Sequence, residues 1–255
     1  MNSLLCGLIE NIHVNNDVFI LKFIWNGTPP KAGQFFMLKP ERSCVFLPRP
    51  ISIFEFIPEE KMVLFLIYKC GKGTEELYSL KHGENVWLTG PLGNAWTDFL
   101  PSGGKAALLS GSIGVAPLAA LVAERKDFNF HLYSGFKNGF PNKEEENLIL
   151  GSAKTAKNIV IAAEDGVNAH NGSILDHFSF HENYDVIFAC GSTLMLKAVK
   201  KKFQSFNVPL FISTECRMAC GIGACLGCTI RTVKGNVRCC SDGPIFPAGD
   251  VLFDE

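Results

Sequence analysis

The sequence predicts a multi-domain α+β chain with three parts. They are an N-terminal antiparallel β-barrel, a central doubly wound parallel α/β sheet, and a small C-terminal module built around cysteine. Three observations carry this. Short β-type runs punctuated by turn residues fill residues 1–98, and apolar runs alternating with helical stretches fill 99–212. Six of the ten cysteines crowd between Cys216 and Cys240, in the segment 213–255.

In the first part LLCGLIENIHV, DVFILKFIW, GQFFMLKP, PISIFEF, MVLFLIYKC and NVWLTG read as six strands, with turn signals at Asn15-Asn16-Asp17, Gly27-Thr28-Pro29-Pro30 and Pro58-Glu59-Glu60. One helix is expected over 74–80. In the second part KAALLSG, FNFHLYSG, NIVIAAEDG and YDVIFACG read as buried parallel strands, with PLFIST as a fifth. They alternate with the helical stretches VAPLAALVAERK and TLMLKAVKKKFQSF. In such sheets ligands bind beyond the carboxyl ends of the strands. The charged stretch GFPNKEEE reads as a solvated loop. The third part is too short to bury a core unaided.

Composition excludes several classes. Lysine and arginine number 24 against 25 acidic residues, so there is no basic footprint for nucleic acid. Apolar residues make up 47% of the chain, enough for a sizeable core. No apolar run reaches the length of a membrane span. The leading MNSLLCGLIENIHV lacks a basic n-region and meets Glu10 early, so no secretory signal is expected and the chain reads as cytoplasmic.

The cysteine-rich segment contains Cys220-x4-Cys225-x2-Cys228 with a pair at Cys239 and Cys240. That spacing matches plant-type [2Fe–2S] ligation, in which four thiolates converge on two irons. Gly221, Gly223 and Gly227 let backbone N–H groups approach the sulfides. Structural zinc competes, but its sites more often pair two C-x2-C units or a histidine pair. For the fourth ligand Cys239 and Cys240 are alternatives, since adjacent extended side chains point to opposite faces, and Cys216 is a spare. His177 and His181 have helix-ligand spacing but no third partner, and read as ordinary polar residues.

Two stretches suggest a flavin. Arg49-Pro50-Ile51-Ser52 places a cation, a rigid turn and a hydroxyl together, a combination suited to a pyrophosphate and a flavin edge. Leu66-Ile67-Tyr68 then runs into a glycine turn where Gly73 and Thr74 open a helix, and N–H groups at a helix start attract anions. For a nicotinamide dinucleotide, Gly111 and Gly114 lie in the strand-to-helix turn SGSIGVAPL. Cys190 and Gly191 end the fourth strand, and Cys190 is either core or a neighbour of the nicotinamide. No general acid/base constellation of side chains is visible, so no catalytic side chain is assigned.

In order, R-P-I-S, G-x-G-T, S-G-S-I-G-V-A-P-L, A-C-G-S, C-G-I-G-A-C-L-G-C and C-S-D-G-P-I-F resemble the electron-transfer subunits of B-type dihydroorotate dehydrogenases. These belong to the ferredoxin–NADP reductase superfamily. The resemblance covers essentially the whole chain. It implies an FAD barrel (1–98), an NAD domain (99–212) and a [2Fe–2S] module (213–255). It carries FAD contacts onto Arg49, Pro50, Ile51, Ser52, Leu66, Ile67, Tyr68, Gly73 and Thr74. It makes Cys240 the fourth ligand with Cys220, Cys225 and Cys228, and leaves Cys216 and Cys239 as non-ligands.

The implied partner is an FMN-containing catalytic subunit in a two-plus-two heterotetramer, with NAD(H) as the soluble partner, in pyrimidine biosynthesis. Departures from the family pattern are Ser110 and Ser112 in the turn, Ser192 after Gly191, and the loop Glu164-Asp165-Gly166-Val167-Asn168-Ala169. Two rivals remain at this level. One is the same design serving a hydrogenase, sulfite reductase or transhydrogenase, and Ala224 favours the dihydroorotate branch. The other is a redox sensor or zinc-stabilised interaction module without flavin.

Overall fold

The computed structural model describes residues 2–253. The outermost residues of the first and third parts, Met1, Asp254 and Glu255, lie outside the described residues.

The first part folds as seven strands: β1 (Asn2–His13), β2 (Val18–Ile24), β3 (Phe35–Pro40), β4 (Arg49–Ser52), β5 (Glu55–Ile57), β6 (Met62–Tyr68) and β7 (Asn85–Leu92). A short helix, α1 (Lys72–Tyr78), follows β6. Every pairing is antiparallel, in the order β4-β3-β7-β1-β2-β6-β5. The two edge strands are consecutive in the chain. PISIFEF is therefore two strands rather than the single one the sequence suggests. At the corner, Ile53 N–H donates to Gln34 C=O on one side (3.1 Å) and Phe54 N–H to Leu64 C=O on the other (2.9 Å). A strand that switches partners at such a corner turns an open sheet into a barrel. Phe19, Leu21, Phe23, Trp25, Phe36 and Phe65 fill its interior.

The second sheet contains β8 (Lys105–Gly111), β9 (Asn129–Phe136), β10 (Asn158–Ala163), β11 (His170–Asn171), β12 (Val186–Cys190) and β13 (Leu210–Ser213). Its order is β11-β10-β9-β8-β12-β13, all parallel, with the order in which the chain adds strands reversing between β8 and β12. Helices α2 (Val115–Glu124), α3 (Lys143–Leu150) and α4 (Thr193–Phe203) connect these strands. Residues Val115 to Val122 of α2 are all buried, because the helix lies between the sheet and the barrel, and a helix apolar all round belongs in a core. Its last residue, Glu124, accepts the barrel's Ala32 N–H at 2.6 Å.

The stretch expected as a solvated loop holds the start of α3. Asn142 caps the helix by accepting Glu145 N–H at 2.9 Å, and Glu144, Glu145 and Glu146 occupy the first turn, where their charge suits the helix dipole.

The third part forms a ribbon, β14 (Thr229–Thr232) with β15 (Gly235–Arg238), a single turn α5 (Cys239–Asp242), and β16 (Ile245–Pro247). Strand β16 returns to pair antiparallel with β13, so the central sheet takes its final strand from beyond the cysteine loop. Among the described residues no helix is long and apolar enough to cross a membrane.

Candidate functional site: two joined cavities and a thiol cage

A cavity of about 380 Å³ opens between barrel and central sheet. Its barrel wall is Arg49, Pro50, Ile51 and Ser52 of β4, Leu66, Ile67 and Tyr68 of β6, and Thr74 of α1. Gly73 lies behind Arg49: a Cβ there would meet the guanidinium at 2.0 Å, so glycine is what lets Arg49 lie across the helix start. Thr74 is committed to the turn. Its hydroxyl oxygen accepts Cys70 N–H (2.9 Å) and Gly71 N–H (3.2 Å) and donates to Gly71 C=O (3.0 Å). The turn thereby keeps one fixed shape at the cavity mouth.

The opposite wall comes from the strand ends of the sheet. Ile113, Gly114 and Cys190 line it, as does the segment from Ser213 to Cys216 that runs out of β13. Cys190 is buried, and desolvation pushes its thiol up, out of the range where a thiolate forms. It is a neutral apolar wall, not a nucleophile.

A second cavity of about 600 Å³ lies at the carboxyl edge where the strand order reverses. Gly111, Ser112, Gly135, Lys137, Gly191 and Ser192 line it. The two cavities meet at Ile113 and Glu215, which border both. The Glu215 carboxyl is held above its ordinary value by desolvation, although the side chain faces an open cleft. Gly114 packs against the end of β12, where a Cβ would meet the Cys190 carbonyl oxygen at 2.3 Å.

The third feature is the thiol cage. Backbone N–H groups point at sulfur throughout it. Ile222 and Cys225 donate to Cys220 Sγ (3.5 and 3.4 Å), and Gly227 to Cys225 Sγ (3.4 Å). Cys240 N–H donates to Cys228 Sγ (3.4 Å), and Gly223 N–H to Cys240 Sγ (3.0 Å). The N–H of Ile222, then that of Cys225, lowers the Cys220 thiol to about 6. Gly221 and Gly223 have φ of +71° and +80°, values that bend the loop around the sulfurs.

Cys239 points the other way. Its thiol donates to Thr214 C=O at 3.3 Å and touches Thr214 Oγ1 at 3.3 Å. The four thiols Cys220, Cys225, Cys228 and Cys240 therefore share the donor-lined side of the loop. Among the described residues no group of three or more His, Cys, Asp or Glu side chains is gathered tightly enough for a single metal ion. N–H donors aimed at each thiolate fit a cluster that spreads its charge over sulfur. His177 is not on a helix but in a loop, its Nε2 bonded to Asn171 C=O at 2.9 Å, and His181 is exposed.

Sequence reasoning singled out the barrel wall of the first cavity but not Thr214, Glu215, Met218 or Pro244 on its far side. The signal for Thr214 and Glu215 was their place at the end of PLFIST and just beyond it, at the carboxyl end of a parallel strand. Met218 and Pro244 are brought there by the fold of the cysteine loop and had no local signal.

A barrel and a doubly wound sheet meeting over joined cavities define the ferredoxin-reductase class of folds, here extended by a cysteine loop. The structure superposes on that of an NADH-dependent reduced ferredoxin–NADP oxidoreductase, studied for flavin-based electron bifurcation. The TM-score is 0.83 at 22% identity, over 98% of this chain and 91% of that one. It also matches a Neisseria gonorrhoeae ferredoxin NADP+ reductase with bound FAD and NADP (TM-score 0.67, 16% identity, 81% and 92% covered).

Residues 215–252 match the family described as the iron–sulfur cluster binding domain of dihydroorotate dehydrogenase B. The electron transfer subunit of dihydroorotate dehydrogenase B (NAD(+)) from Clostridium acetobutylicum is 38% identical over 246 residues, 96% of each chain. Its Clostridium perfringens counterpart is 34% identical over 244 residues, again 96% of each. The chain belongs to the family of dihydroorotate dehydrogenase B electron transfer subunits.

Proposed function

We propose that the chain is the electron-transfer subunit of an NAD-linked dihydroorotate dehydrogenase, an oxidoreductase component whose substrate oxidation occurs on a partner subunit. One observation carries this: the cavity and the thiol cage share a wall. Thr214, Glu215, Cys216 and Met218 line the cavity, Thr214 bonds Cys239, and Cys239 immediately precedes Cys240 of the cage in the chain.

In this reading residues 1–98 hold FAD, 99–212 hold NAD, and 213–255 hold a [2Fe–2S] cluster. Arg49, Pro50, Ile51, Ser52, Leu66, Ile67, Tyr68, Gly73 and Thr74 form the FAD seat. Gly111, Gly114, Cys190 and Gly191 face the nicotinamide dinucleotide, and Cys220, Cys225, Cys228 and Cys240 hold the irons. A flavin supplies exchange of two electrons on one side and single electrons on the other, which a nicotinamide and an iron–sulfur cluster each require.

The chain's own groups position and insulate. Arg49 places a cation against the pyrophosphate, the apolar ends of β4 and β6 exclude water, and cage N–H groups hold negative charge on sulfur. Cys225 is exposed between Ile222 and Leu226, themselves 49% and 61% exposed. That face suits an FMN-containing catalytic subunit, in a two-plus-two assembly in the cytoplasm serving pyrimidine synthesis.

Anaerobically purified protein should show flavin and iron–sulfur absorption, with flavin and iron quantifiable per chain. Mixed with the catalytic subunit, it should reduce NAD+ on addition of dihydroorotate. Iron-free, flavin-free material that refuses both cofactors would overturn the proposal.

A further inference from the structure

Two cysteines take no part in the cage, yet both lie between it and the cavity. Cys216 lines the cavity wall. Cys239 is wholly buried, with its thiol turned away from the cage towards Thr214, two residues before Cys216. Both side chains sit in one apolar cluster with Phe35, Met37 and Met218. There Cys216 packs against the cluster that holds Cys239, and the two thiols are neighbours. The free-energy minimum for two thiols held together beside an electron carrier depends on redox state, because a dithiol and its disulfide differ by two electrons.

We propose that Cys216 and Cys239 form a dithiol–disulfide couple that exchanges two electrons with the flavin. It rests on the assignment of the cavity to FAD. On oxidation a bond would form between the two sulfurs, and their two electrons and two protons would be taken up by the oxidised flavin. In the reverse direction the disulfide would accept two electrons, which a reduced nicotinamide would supply by way of the bound flavin. The S–S bond breaks, and Cys216 and Cys239 each gain a proton. The net reaction is disulfide plus NADH plus a proton giving two thiols plus NAD+. Cys216 is the member that faces the flavin. Cys239 has no exposed surface. The chain would thus hold a two-electron store beside its one-electron cluster, separate from both cofactors.

The test uses full-length protein whose flavin and iron have been quantified. The sample is oxidised with ferricyanide, desalted anaerobically and divided, and one half is reduced with NADH. Both halves are denatured in alkylating reagent and the cysteine peptides identified by mass. The expected result is a Cys216–Cys239 linked peptide pair in the oxidised half and two alkylated peptides in the NADH half. Stoichiometric reductive titration should also take up two electrons more per chain in wild type than in Cys216→Ser. Flavin-containing protein with both thiols alkylated in both halves, or with equal electron uptake in wild type and variant, overturns the couple while leaving the functional reading intact. A sample with no flavin absorbance overturns that reading, and the couple with it.

Discussion

At the scale of single residues, the cage rests on which of two neighbouring thiols faces inward. Cys240 takes the Gly223 N–H while Cys239 is turned to Thr214. Cys240→Ser should therefore abolish cluster absorption and iron retention, and Cys239→Ser should keep both, measured as iron per chain after anaerobic purification. A second residue sets an acid limit. His131 is buried against Tyr184, whose hydroxyl lies 3.1 Å from its Nδ1, and desolvation holds its pKa below the ordinary value. The unfolded chain thus takes up a proton that the folded chain refuses. This contribution to stability is full above about pH 6.5 and erodes as the pH falls from there towards the lowered folded value. The urea midpoint of wild type should drop between pH 7.5 and pH 5.5 by more than that of His131→Gln. Residues such as Met218 and Pro244 were not legible beforehand, because a cavity wall assembled from chain segments far apart leaves no local pattern.

At the scale of elements, strands were legible wherever apolar residues alternated or ran continuously, as in MVLFLIYKC and YDVIFACG. The two misjudged elements share a cause. PISIFEF has the composition of one strand, and its division at Ile53–Phe54 comes from hydrogen-bond partners on two different strands. The start of α3 has the charge of a loop, and its identity depends on a cap at Asn142 and on packing that buries Ile149 and Leu150. Helix α1 gives a test at this scale. Gly73→Ala sits at a position compatible with helix, so the fold should persist, but the new methyl displaces the Arg49 guanidinium. Loss of one charge-assisted hydrogen bond costs about 1.5–3 kcal/mol, or roughly 10–100-fold in affinity. Flavin binding to deflavinated protein, followed by fluorescence quenching, should weaken by that factor while the circular dichroism spectrum stays unchanged.

At the scale of the molecule, barrel and sheet share one core. Trp96, at the end of the barrel part, packs at a tilt against Phe188 of β12 with ring centroids 5.0 Å apart, and α2 is buried against both barrel and sheet. The cysteine part is joined to the sheet through β16, where Phe246 is buried beside Gly243. Phe246→Ala removes that anchor at a cost of about 3–5 kcal/mol. Heating should then release iron and melt secondary structure together, at a midpoint lowered in the variant. Separate midpoints in wild type would show that the cysteine part unfolds alone. Three-part organisation was legible from changes in sequence period along the chain, whereas the return of the last strand to β13 was not. Three residues of an antiparallel edge strand carry too little pattern to name their partner.

That return also shapes how metal is acquired. Residues 214–244 leave β13 and come back to it, so both feet of the excursion stand on neighbouring strands of the central sheet. Most of the entropy of closing so long a segment is settled by the sheet and not by the incoming ions. A small metal domain standing alone is typically unfolded until loaded, its metal-binding energy consumed in ordering the chain. Here the expected outcome is late insertion into a nearly finished frame, with iron and sulfide delivered to, and withdrawn from, a carrier that keeps its fold without them.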